Sequence, residues 1–329
     1  MQTKGILFTG INQVELGDIE LPAVGPGQAL VETVYSGISP GTELRCLAGK
    51  QPDAAPWPFV PGYSLAGRVQ AIGAGVELKI GDPVFCTGSL VTSPTAMWGG
   101  HVGHAVRDGR DLLPVPKGVG LEVGAIAHMA GIAYHGLRLA RPMPHEVVAV
   151  VGLGAIGQLS ARLFAATGAR VVAGDVSPTR VAVAQRSGIE AFGVEGDLVK
   201  GFKQRIPEGA DIIVDATGAV GVLPQAIELA RELPWADGPQ HASRYVVQGS
   251  YPADFVVPYR AAFRKQLTFL LSRDMQYQDV RAVFGLLERG RLRLDDLVES
   301  VCSPADAAAT YAELRDANGT LLLPVFAWR

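Results

Sequence analysis

Three glycines follow a short apolar run in the middle of the chain. The run Val147–Val151 is continuous and rich in valine, and Gly152, Gly154 and Gly157 come directly after it. Such a run is typical of a central parallel strand covered on both faces. Gly152 permits a tight turn, Gly154 lets the backbone approach a pyrophosphate, and Gly157 lets the next helix pack closely on the strand. The pattern therefore predicts a dinucleotide site at a helix N-terminus, against the alternative of a plain strand-to-helix turn.

An acidic residue ends the next predicted strand. Asp175 follows Arg170–Gly174 and lies 18 residues past Gly157. A carboxylate at this position accepts hydrogen bonds from the adenosine ribose and repels a 2′-phosphate, which favours NAD over NADP. Arg180 is the counter-signal, since a guanidinium neutralises a 2′-phosphate or stacks on adenine. The alternative interpretation is that Arg180 is a solvated charge early in a helix.

The predicted cofactor contacts extend beyond the glycine turn to the ends of neighbouring strands. The full set is Gly152, Gly154, Ala155, Ile156, Gly157, Asp175, Val176, Arg180, Thr217 and Gly249. Asp215 follows the strand-like run Ile212–Val214, and its role stays open between a helix cap, a loop residue and a cofactor contact.

The periodicity of the chain changes near residue 120. Before that point, short apolar runs separated by Gly and Pro predict strands of an irregular barrel, at 30–35, 67–73 and from 81. After it, strands are predicted at 147–151, 170–174, 212–214, 245–247, 267–271 and 320–326, and helices at 123–139, 156–167, 178–187, 279–289 and 304–316. Alternating strands and helices imply a doubly wound parallel sheet with right-handed crossovers. The predicted fold class is therefore α/β, with a barrel domain interrupted by a dinucleotide-binding domain.

The charge, hydropathy and cysteine content of the chain argue against several classes of protein. The formal net charge is −3 and no run of Lys or Arg stands out, which argues against a nucleic-acid partner. No stretch approaches the roughly 20 apolar residues that span a bilayer, and no signal-peptide core is found. The three cysteines are odd in number and far apart, which argues for a reducing compartment. The sequence thus predicts a cytoplasmic protein with no membrane or nucleic-acid partner.

Several segments resemble motifs of the medium-chain dehydrogenase/reductase superfamily, in that family's order. Residues 37–43 resemble its G-I-C-(x)-[ST]-D segment, and 58–69 resemble P-x-V-P-G-H-E-x-x-G-x-V. Residues 72–84 are similar to G-x-G-V followed by G-D-x-V, and 169–188 match its second strand and helix. The resemblance implies a GroES-like irregular β-barrel catalytic domain over 1–125 and 272–329, and a Rossmann domain over 126–271.

The departures from the family pattern fall on the metal ligands. Ser39 stands where zinc-dependent members carry a catalytic Cys, and Tyr63 and Ser64 replace their His-Glu pair. Met129 is the nearest candidate for the third ligand, and Cys86 has no partner at C-x-x-C spacing. Zinc requires converging N, S or O donors, so no metal site and no zinc are expected. The chain most resembles the zinc-free branch of bacteriochlorophyllide a dehydrogenase-type enzymes, which oxidise a hydroxyethyl group to a ketone with NAD.

Without a metal, a hydrogen-bond donor must stabilise the reacting oxygen. The resemblance places Thr42 where relatives start a proton relay, although a hydroxyl bonded to its own turn is the alternative. It places Tyr63 at the lost zinc-His position, with simple packing as the alternative. Glu43 takes an acidic second-layer position, where it would orient Tyr63, bind a substrate hydroxyl or pair with an Arg. His128 lies beside the lost third ligand and is a candidate acid or base, against a buried core histidine.

Three other histidines and two tryptophans lie near these motifs in the sequence. His135 lies seven residues after His128 on the same predicted helix, so both are expected on one side. His101 and His104 have i, i+3 spacing, but on a barrel strand such residues point to opposite faces, which argues against a metal. The tryptophans at positions 57 and 98 either line a substrate pocket or pack within loops.

The predicted function is an NAD-dependent oxidoreductase that interconverts a secondary, polyol or cyclic alcohol and its ketone without zinc. One alternative is a zinc-free, NADPH-dependent enoyl or quinone reductase of the same fold. Another is a non-catalytic NAD(H)-binding protein. The expected partners are a small-molecule substrate and a second copy of the chain, paired edge to edge through the dinucleotide sheet as in similar enzymes.

Overall fold

The computed structural model describes residues 1–238, 242–251, 253–316 and 321–329. The chain divides into two compact units. One contains Met1–Met129 with Val280–Arg329, and the other contains Ala130–Asp279. The sequence placed the corresponding boundaries at 125/126 and 271/272, so the barrel unit takes more of the middle helix and less of the C-terminal segment than predicted.

Short strands dominate the first third of the chain, and strands and helices alternate afterwards. The strands are β1 Gln2–Gly10, β2 Gln13–Glu20, β3 Gln28–Gly37, β4 Phe59–Val60, β5 Leu65–Ile72, β6 Pro83–Cys86, β7 Thr95–Ala96, β8 His104–Asp108, β9 Leu113–Pro114, β10 Val147–Val151, β11 Arg170–Asp175, β12 Glu190–Gly193, β13 Ile212–Asp215, β14 Arg244–Val247, β15 Thr268–Leu271, β16 Val301–Cys302 and β17 Val325–Ala327. The helices are α1 Pro40–Leu47, α2 Leu121–Ala125, α3 Ala127–Ala140, α4 Ala155–Ala166, α5 Pro178–Arg186, α6 Leu198–Lys203, α7 Leu223–Ala226, α8 Tyr259–Arg264, α9 Tyr277–Glu288 and α10 Ala307–Asp316.

The second unit is built on a six-stranded parallel sheet with the order β12-β11-β10-β13-β14-β15. The central strand β10 is buried along nearly its whole length, as its continuous apolar sequence requires. The chain moves to one side of β10 through β11 and β12, and then to the other side through β13. The carboxyl ends of β10 and β13 therefore form the topological switch point, where open α/β sheets bind ligands.

The first unit contains two sheets. One has the order β2-β1-β4-β7, and the other has the order β16-β17-β3-β5-β6-β9 with β8 paired to β3. The long strand β3 lies between β17 and β5 and carries Gly37 at its end, directly before the loop that leads into α1. These two sheets and the parallel sheet of the second unit confirm the predicted α/β class, with a GroES-like barrel and a Rossmann domain.

Three local predictions were wrong in detail. The helix predicted over 123–139 is two helices, because the backbone leaves helical geometry at Ile126 between α2 and α3. His101 precedes β8 rather than lying on a strand with His104. The terminal strand is limited to β17, and Thr320 of the predicted span lies outside the described residues. No helix within the described ranges is long and apolar enough to cross a membrane.

Candidate active site

The glycine turn after β10 has the geometry that its sequence predicts. Gly152 has φ of +87°, a left-handed conformation that strongly favours glycine. A Cβ on Gly157 would lie 1.9 Å from the carbonyl oxygen of Gly152, so α4 packs against the turn only because residue 157 lacks a side chain. These two glycines are therefore explained by the protein's own packing.

Gly154 is different, because no described residue fills the space beside it. Among the described residues, a Cβ there would meet the Arg180 guanidinium alone, at 3.9 Å. The residue is the N-cap of α4, whose first N–H groups have no partner within the helix. An open cradle at a helix N-terminus fits a bound pyrophosphate. The residues present thus fit a dinucleotide, whose phosphates Gly154 and the first N–H groups of α4 would hold.

Asp175 ends β11 and is buried beside this turn. Its Oδ2 accepts a hydrogen bond from Leu153 N at 2.6 Å, and its Oδ1 accepts one from Ser177 N at 2.7 Å. The nearest guanidinium nitrogen of Arg180 lies 3.6 Å from Oδ2. The carboxylate is held at the predicted ribose position, and the cation that was the counter-signal lies next to it. Val176, the following residue, is 77% exposed.

Asp215 ends β13 and is fully buried, with its carboxylate held by four donors. Oδ1 accepts bonds from the backbone N–H and the hydroxyl of Thr217, at 3.0 and 2.6 Å. Oδ2 accepts a bond from the Tyr245 phenol at 2.8 Å and a second from the Tyr251 phenol. Burial and this carboxylate raise the pKa of both phenols, so they stay protonated donors. Asp215 is an internal anchor, which decides the role that the sequence left open.

The loops that follow β13 and β14 lie against each other and against the glycine turn. A Cβ on Gly249 would lie 2.4 Å from Gly218 N, and one on Gly152 would lie 2.9 Å from the Thr217 methyl group. Thr217 and Gly249 therefore lie beside the glycine turn at the switch point. The Asp215 carboxylate holds both loops, through Thr217 in one and Tyr251 in the other.

In the barrel unit, the structure brings two of the substituted metal-ligand positions into direct contact. The Tyr63 phenol donates a hydrogen bond to Ser39 Oγ over 2.5 Å, and both side chains are buried. Ser64 is turned away, and its hydroxyl donates to the carbonyl oxygen of Ala125 at 2.5 Å. Ser39 and Tyr63 thus form a hydroxyl pair, and this name is kept below.

Two further rings surround the hydroxyl pair. The Tyr63 ring lies 4.5 Å from the imidazole of His128 and 5.4 Å from the Trp98 ring, which meets it edge to face. Trp98 has φ of +70°, a strained conformation for a bulky residue that is found mainly where function requires it. Trp57 instead stacks on Phe59 at 4.8 Å. The structure therefore places His128 and Trp98 at the hydroxyl pair and Trp57 within the barrel's packing.

Glu43 has partners that the sequence did not predict. One carboxylate oxygen accepts a hydrogen bond from Ser39 N at 2.7 Å. The other lies 2.9 Å from His101 Nε2 and also accepts a bond from the Tyr311 phenol, whose pKa is raised by burial and by Glu43. The expected contacts were with Tyr63, a substrate hydroxyl or an Arg. Because the side chain is fully buried, Glu43 acts on the site through the backbone of Ser39.

The remaining candidates are placed as follows. Thr42 is half-buried in the first turn of α1, and no hydrogen bond of its hydroxyl is found within the described part of the chain, so the alternative of a bond to its own turn is not seen there. His135 binds Asp279 at 2.9 Å in the second unit and does not join His128. His104 lies 3.0 Å from Thr3, and burial lowers its pKa.

Among the described residues, no group of three His, Cys, Asp or Glu side chains is arranged to hold a metal ion.

Comparison with known proteins gives consistent results. Residues 25–137 match the family model of the alcohol dehydrogenase GroES-like domain. The chain is 28% identical over 317 residues to 2-desacetyl-2-hydroxyethyl bacteriochlorophyllide A dehydrogenase of Rhodobacter capsulatus, covering 94% of both chains. It is 25% identical to a probable D-xylulose reductase A of Neosartorya fischeri, covering 97% of this chain and 95% of that one. The crystal structure of 2R,3R-butanediol dehydrogenase from Bacillus subtilis shares the fold, with a TM-score of 0.85, 21% identity and 99% of both chains covered.

Residues 25–137 form an alcohol dehydrogenase GroES-like domain, and the chain shares the alcohol dehydrogenase-like fold. The chain is an oxidoreductase of the alcohol dehydrogenase type. The motifs at 37–43 and 58–69, on which the resemblance was based, supply the two members of the hydroxyl pair.

The sequence did not predict the roles of three residues near the hydroxyl pair. Ser39 was read only as a lost zinc ligand, although a hydroxyl at a ligand position is itself a hydrogen-bonding group. Trp98 was left undecided, and the glycines after it, Gly99 and Gly100, were the available sign of an unusual backbone. His101 was considered only as a metal ligand, and no local pattern links it to Glu43.

Proposed function

We propose that the protein is an NAD-dependent dehydrogenase that interconverts a secondary alcohol and its ketone without a catalytic zinc. The observation that carries the proposal is the direct hydrogen bond between Tyr63 and Ser39, at two positions where zinc-dependent relatives bind metal. The names of two similar proteins, a dehydrogenase of a 2-hydroxyethyl compound and a dehydrogenase of 2R,3R-butanediol, favour a secondary carbinol over a double bond.

The donor set of the hydroxyl pair does not suit zinc. Tyr63 and Ser39 offer neutral oxygens that bind each other, and Met129, the nearest candidate for the third ligand in the sequence, is a buried thioether. Structural and catalytic zinc sites use thiolate, imidazole and carboxylate ligands. We therefore assign the stabilisation of the reacting oxygen to hydrogen bonding.

A bound nicotinamide supplies or accepts the hydride, which leaves the protein to bind, orient and manage one proton. The Tyr63 phenol is the donor for the substrate oxygen, and Ser39 accepts from that phenol when no substrate is present. His128, beside the Tyr63 ring, is the group that exchanges the proton with the phenol. Thr42, with a half-buried hydroxyl in the first turn of α1, is a second donor for the same oxygen. Glu43 fixes Ser39 through its backbone N–H.

The preference for NAD rests on Asp175 at the end of β11. This buried carboxylate is held in place by two backbone N–H bonds, and a carboxylate at this position repels a 2′-phosphate. One observation favours the second candidate, an NADPH-dependent double-bond reductase. The Arg180 guanidinium, 3.6 Å from this carboxylate, offsets part of its charge.

The test is turnover by enzyme treated with a chelator, with zinc quantified in the same sample. A panel of secondary alcohols is offered with NAD or with NADP. Oxidation with NAD by zinc-free enzyme supports the proposal. Reduction of enones or quinones with NADPH, without alcohol oxidation, favours the second candidate. Cofactor binding with no turnover on either panel favours a non-catalytic protein, and loss of activity with loss of stoichiometric zinc contradicts the zinc-free assignment.

We further propose a cytoplasmic homodimer. Strand β15 ends the order of the parallel sheet, and Leu271 at its end is 65% exposed. An exposed strand edge is a template for pairing with a second copy across a two-fold axis. Sedimentation of the wild type and of Leu271→Lys tests this: a dimer that the substitution weakens is expected, and a monomeric wild type contradicts it. The free thiols of Cys46 and Cys86, both buried, support a reducing compartment such as the cytoplasm.

A further inference from the structure

His101 is completely buried in the barrel, and both of its ring nitrogens have partners. Nε2 lies 2.9 Å from a Glu43 carboxylate oxygen, and Nδ1 lies 2.8 Å from Ser36 Oγ. The indole N–H of Trp328, which can only donate, donates to the same Ser36 oxygen at 2.9 Å. Ser36 and Glu43 thus hold the two nitrogens of the His101 ring, and Trp328 holds Ser36 in turn.

The network reaches the hydroxyl pair first through Glu43. The carboxylate oxygen that does not bind His101 accepts the N–H of Ser39 at 2.7 Å. Because Glu43 is fully buried, His101 and Tyr311 are the partners that hold its second oxygen. Removal of the imidazole would free the carboxylate to rotate, and Ser39 would lose the group that anchors its backbone.

The network reaches the hydroxyl pair a second time through Gly62. This residue has φ of +81°, and a Cβ on it would lie 2.6 Å from the His101 ring. The imidazole face therefore packs against the backbone of Gly62, directly before Tyr63. His101 thus supports both members of the hydroxyl pair. It supports Ser39 through the Glu43 carboxylate, and Tyr63 through packing against the preceding residue, Gly62.

We propose that His101 is a positioning residue, which holds Ser39 and Tyr63 in register through Glu43 and Gly62. The inference rests on the proposed function of the hydroxyl pair as the oxygen-binding group. A misplacement of about 1 Å at a reacting centre lowers turnover about 100-fold, so loss of His101 is expected to reduce kcat although it touches no substrate.

The test compares His101→Phe with His101→Gln. Phenylalanine fills the space but removes both hydrogen bonds, whereas glutamine keeps a donor for Glu43. His101→Phe is expected to lower kcat for secondary-alcohol oxidation by about tenfold or more, with KM and the Kd of NADH changed by less than about threefold. His101→Gln is expected to recover most of the loss. His104→Gln, three residues further along and bonded to Thr3, is the matched control and should keep wild-type kinetics.

A second readout does not depend on turnover. Tyrosine labelled with ¹³C at Cζ gives one signal for each of the eight tyrosines, and Tyr63→Phe identifies that of Tyr63. His101→Phe is expected to move the Tyr63 signal towards that of a solvated phenol, and His104→Gln is expected to leave it in place. If His101→Phe does not fold, Ser36→Ala, which removes the partner of Nδ1, replaces it in both measurements with the same expected direction.

The outcomes separate the two claims. If the wild type has no dehydrogenase activity, the proposed function fails, and the Tyr63 signal alone decides the role of His101. An unmoved signal with kcat within about twofold of the wild type overturns the inference. Equal losses in kcat, KM and NADH binding, without recovery in His101→Gln, show a general packing role and overturn it as well.

Discussion

The Tyr63 phenol and the Ser39 hydroxyl are hydrogen-bonded at 2.5 Å, although 24 residues separate them in sequence. The barrel brings them together because β3 leads into the loop before α1, and the loop after β4 ends next to β5. In zinc-dependent relatives these two positions hold the metal, according to the motif resemblance. Here the same backbone positions hold a donor and an acceptor, which under the proposed function bind the substrate oxygen without a cation.

The two glycines at 154 and 157 should separate cofactor binding from folding. Gly157→Ala places a Cβ 1.9 Å from a backbone oxygen, so we expect a fall in Tm of several degrees. Gly154→Ala places its Cβ in open space, so Tm should be unchanged while the Kd of NADH rises about tenfold or more. Thermal unfolding and fluorescence titration measure both variants. Wild-type NADH affinity in Gly154→Ala would contradict the assignment of the phosphate cradle.

The Asp175 carboxylate should set the choice of nicotinamide cofactor. Asp175→Ala is expected to weaken NADH about tenfold and to weaken NADPH less, because the repulsion of a 2′-phosphate is lost together with the ribose contact. Asp197→Ala, at the exposed cap of α6, is the control. Arg180→Ala should weaken NADPH specifically. If Asp175→Ala weakens both cofactors equally, the carboxylate has only a structural role at the turn.

Tyr251 should influence the affinity for NADH, although it lies four residues beyond the end of β14 at Val247 and is not itself a predicted cofactor contact. Its phenol binds Asp215, which also holds Thr217, so Tyr251→Phe should loosen the loop that contains Gly249. We expect the Kd of NADH to rise about threefold to tenfold, since one hydrogen bond to a charged group is lost. Tyr259→Phe, at an exposed position of α8, should have no effect. Equal Kd values for the two variants would exclude this role for the anchor.

Asp279 gives the second unit a pH-dependent contribution to stability. Burial raises the pKa of its carboxyl, but bonds from Arg138, the Gln276 N–H and His135 outweigh burial and lower it overall. Because the folded-state pKa is lowered, the ionised carboxyl stabilises the protein fully above the unfolded pKa of about 4. This stabilisation is lost as the pH falls through the folded-state pKa. Asp279→Asn should cost about 3 kcal/mol at pH 7 and progressively less in acid. A pH-independent difference in denaturant unfolding would show that the charge is not responsible.

The sequence predicted the features that depend on local pattern. The valine run of β10, its glycine turn and the acidic end of β11 follow from period and spacing, and the observed elements agree with them. The bonds that build the site join distant residues and have no local pattern. Tyr311 reaches Glu43 across 268 positions, and His101 reaches it across 58. For that reason the sequence left Glu43 open between Tyr63, a substrate hydroxyl and an Arg, whereas its partners depend on how the barrel closes.

The central claim is that Tyr63 replaces the metal as the group that binds the reacting oxygen. The most direct test is kcat for a secondary alcohol with NAD, measured on zinc-free wild type and on Tyr63→Phe, with NADH affinity as the control for folding. Loss of one donor to a developing oxygen charge lowers kcat about 100-fold to 1,000-fold, and this loss with unchanged NADH binding is the predicted result. A Tyr63→Phe enzyme that keeps kcat within about threefold of the wild type would contradict the claim.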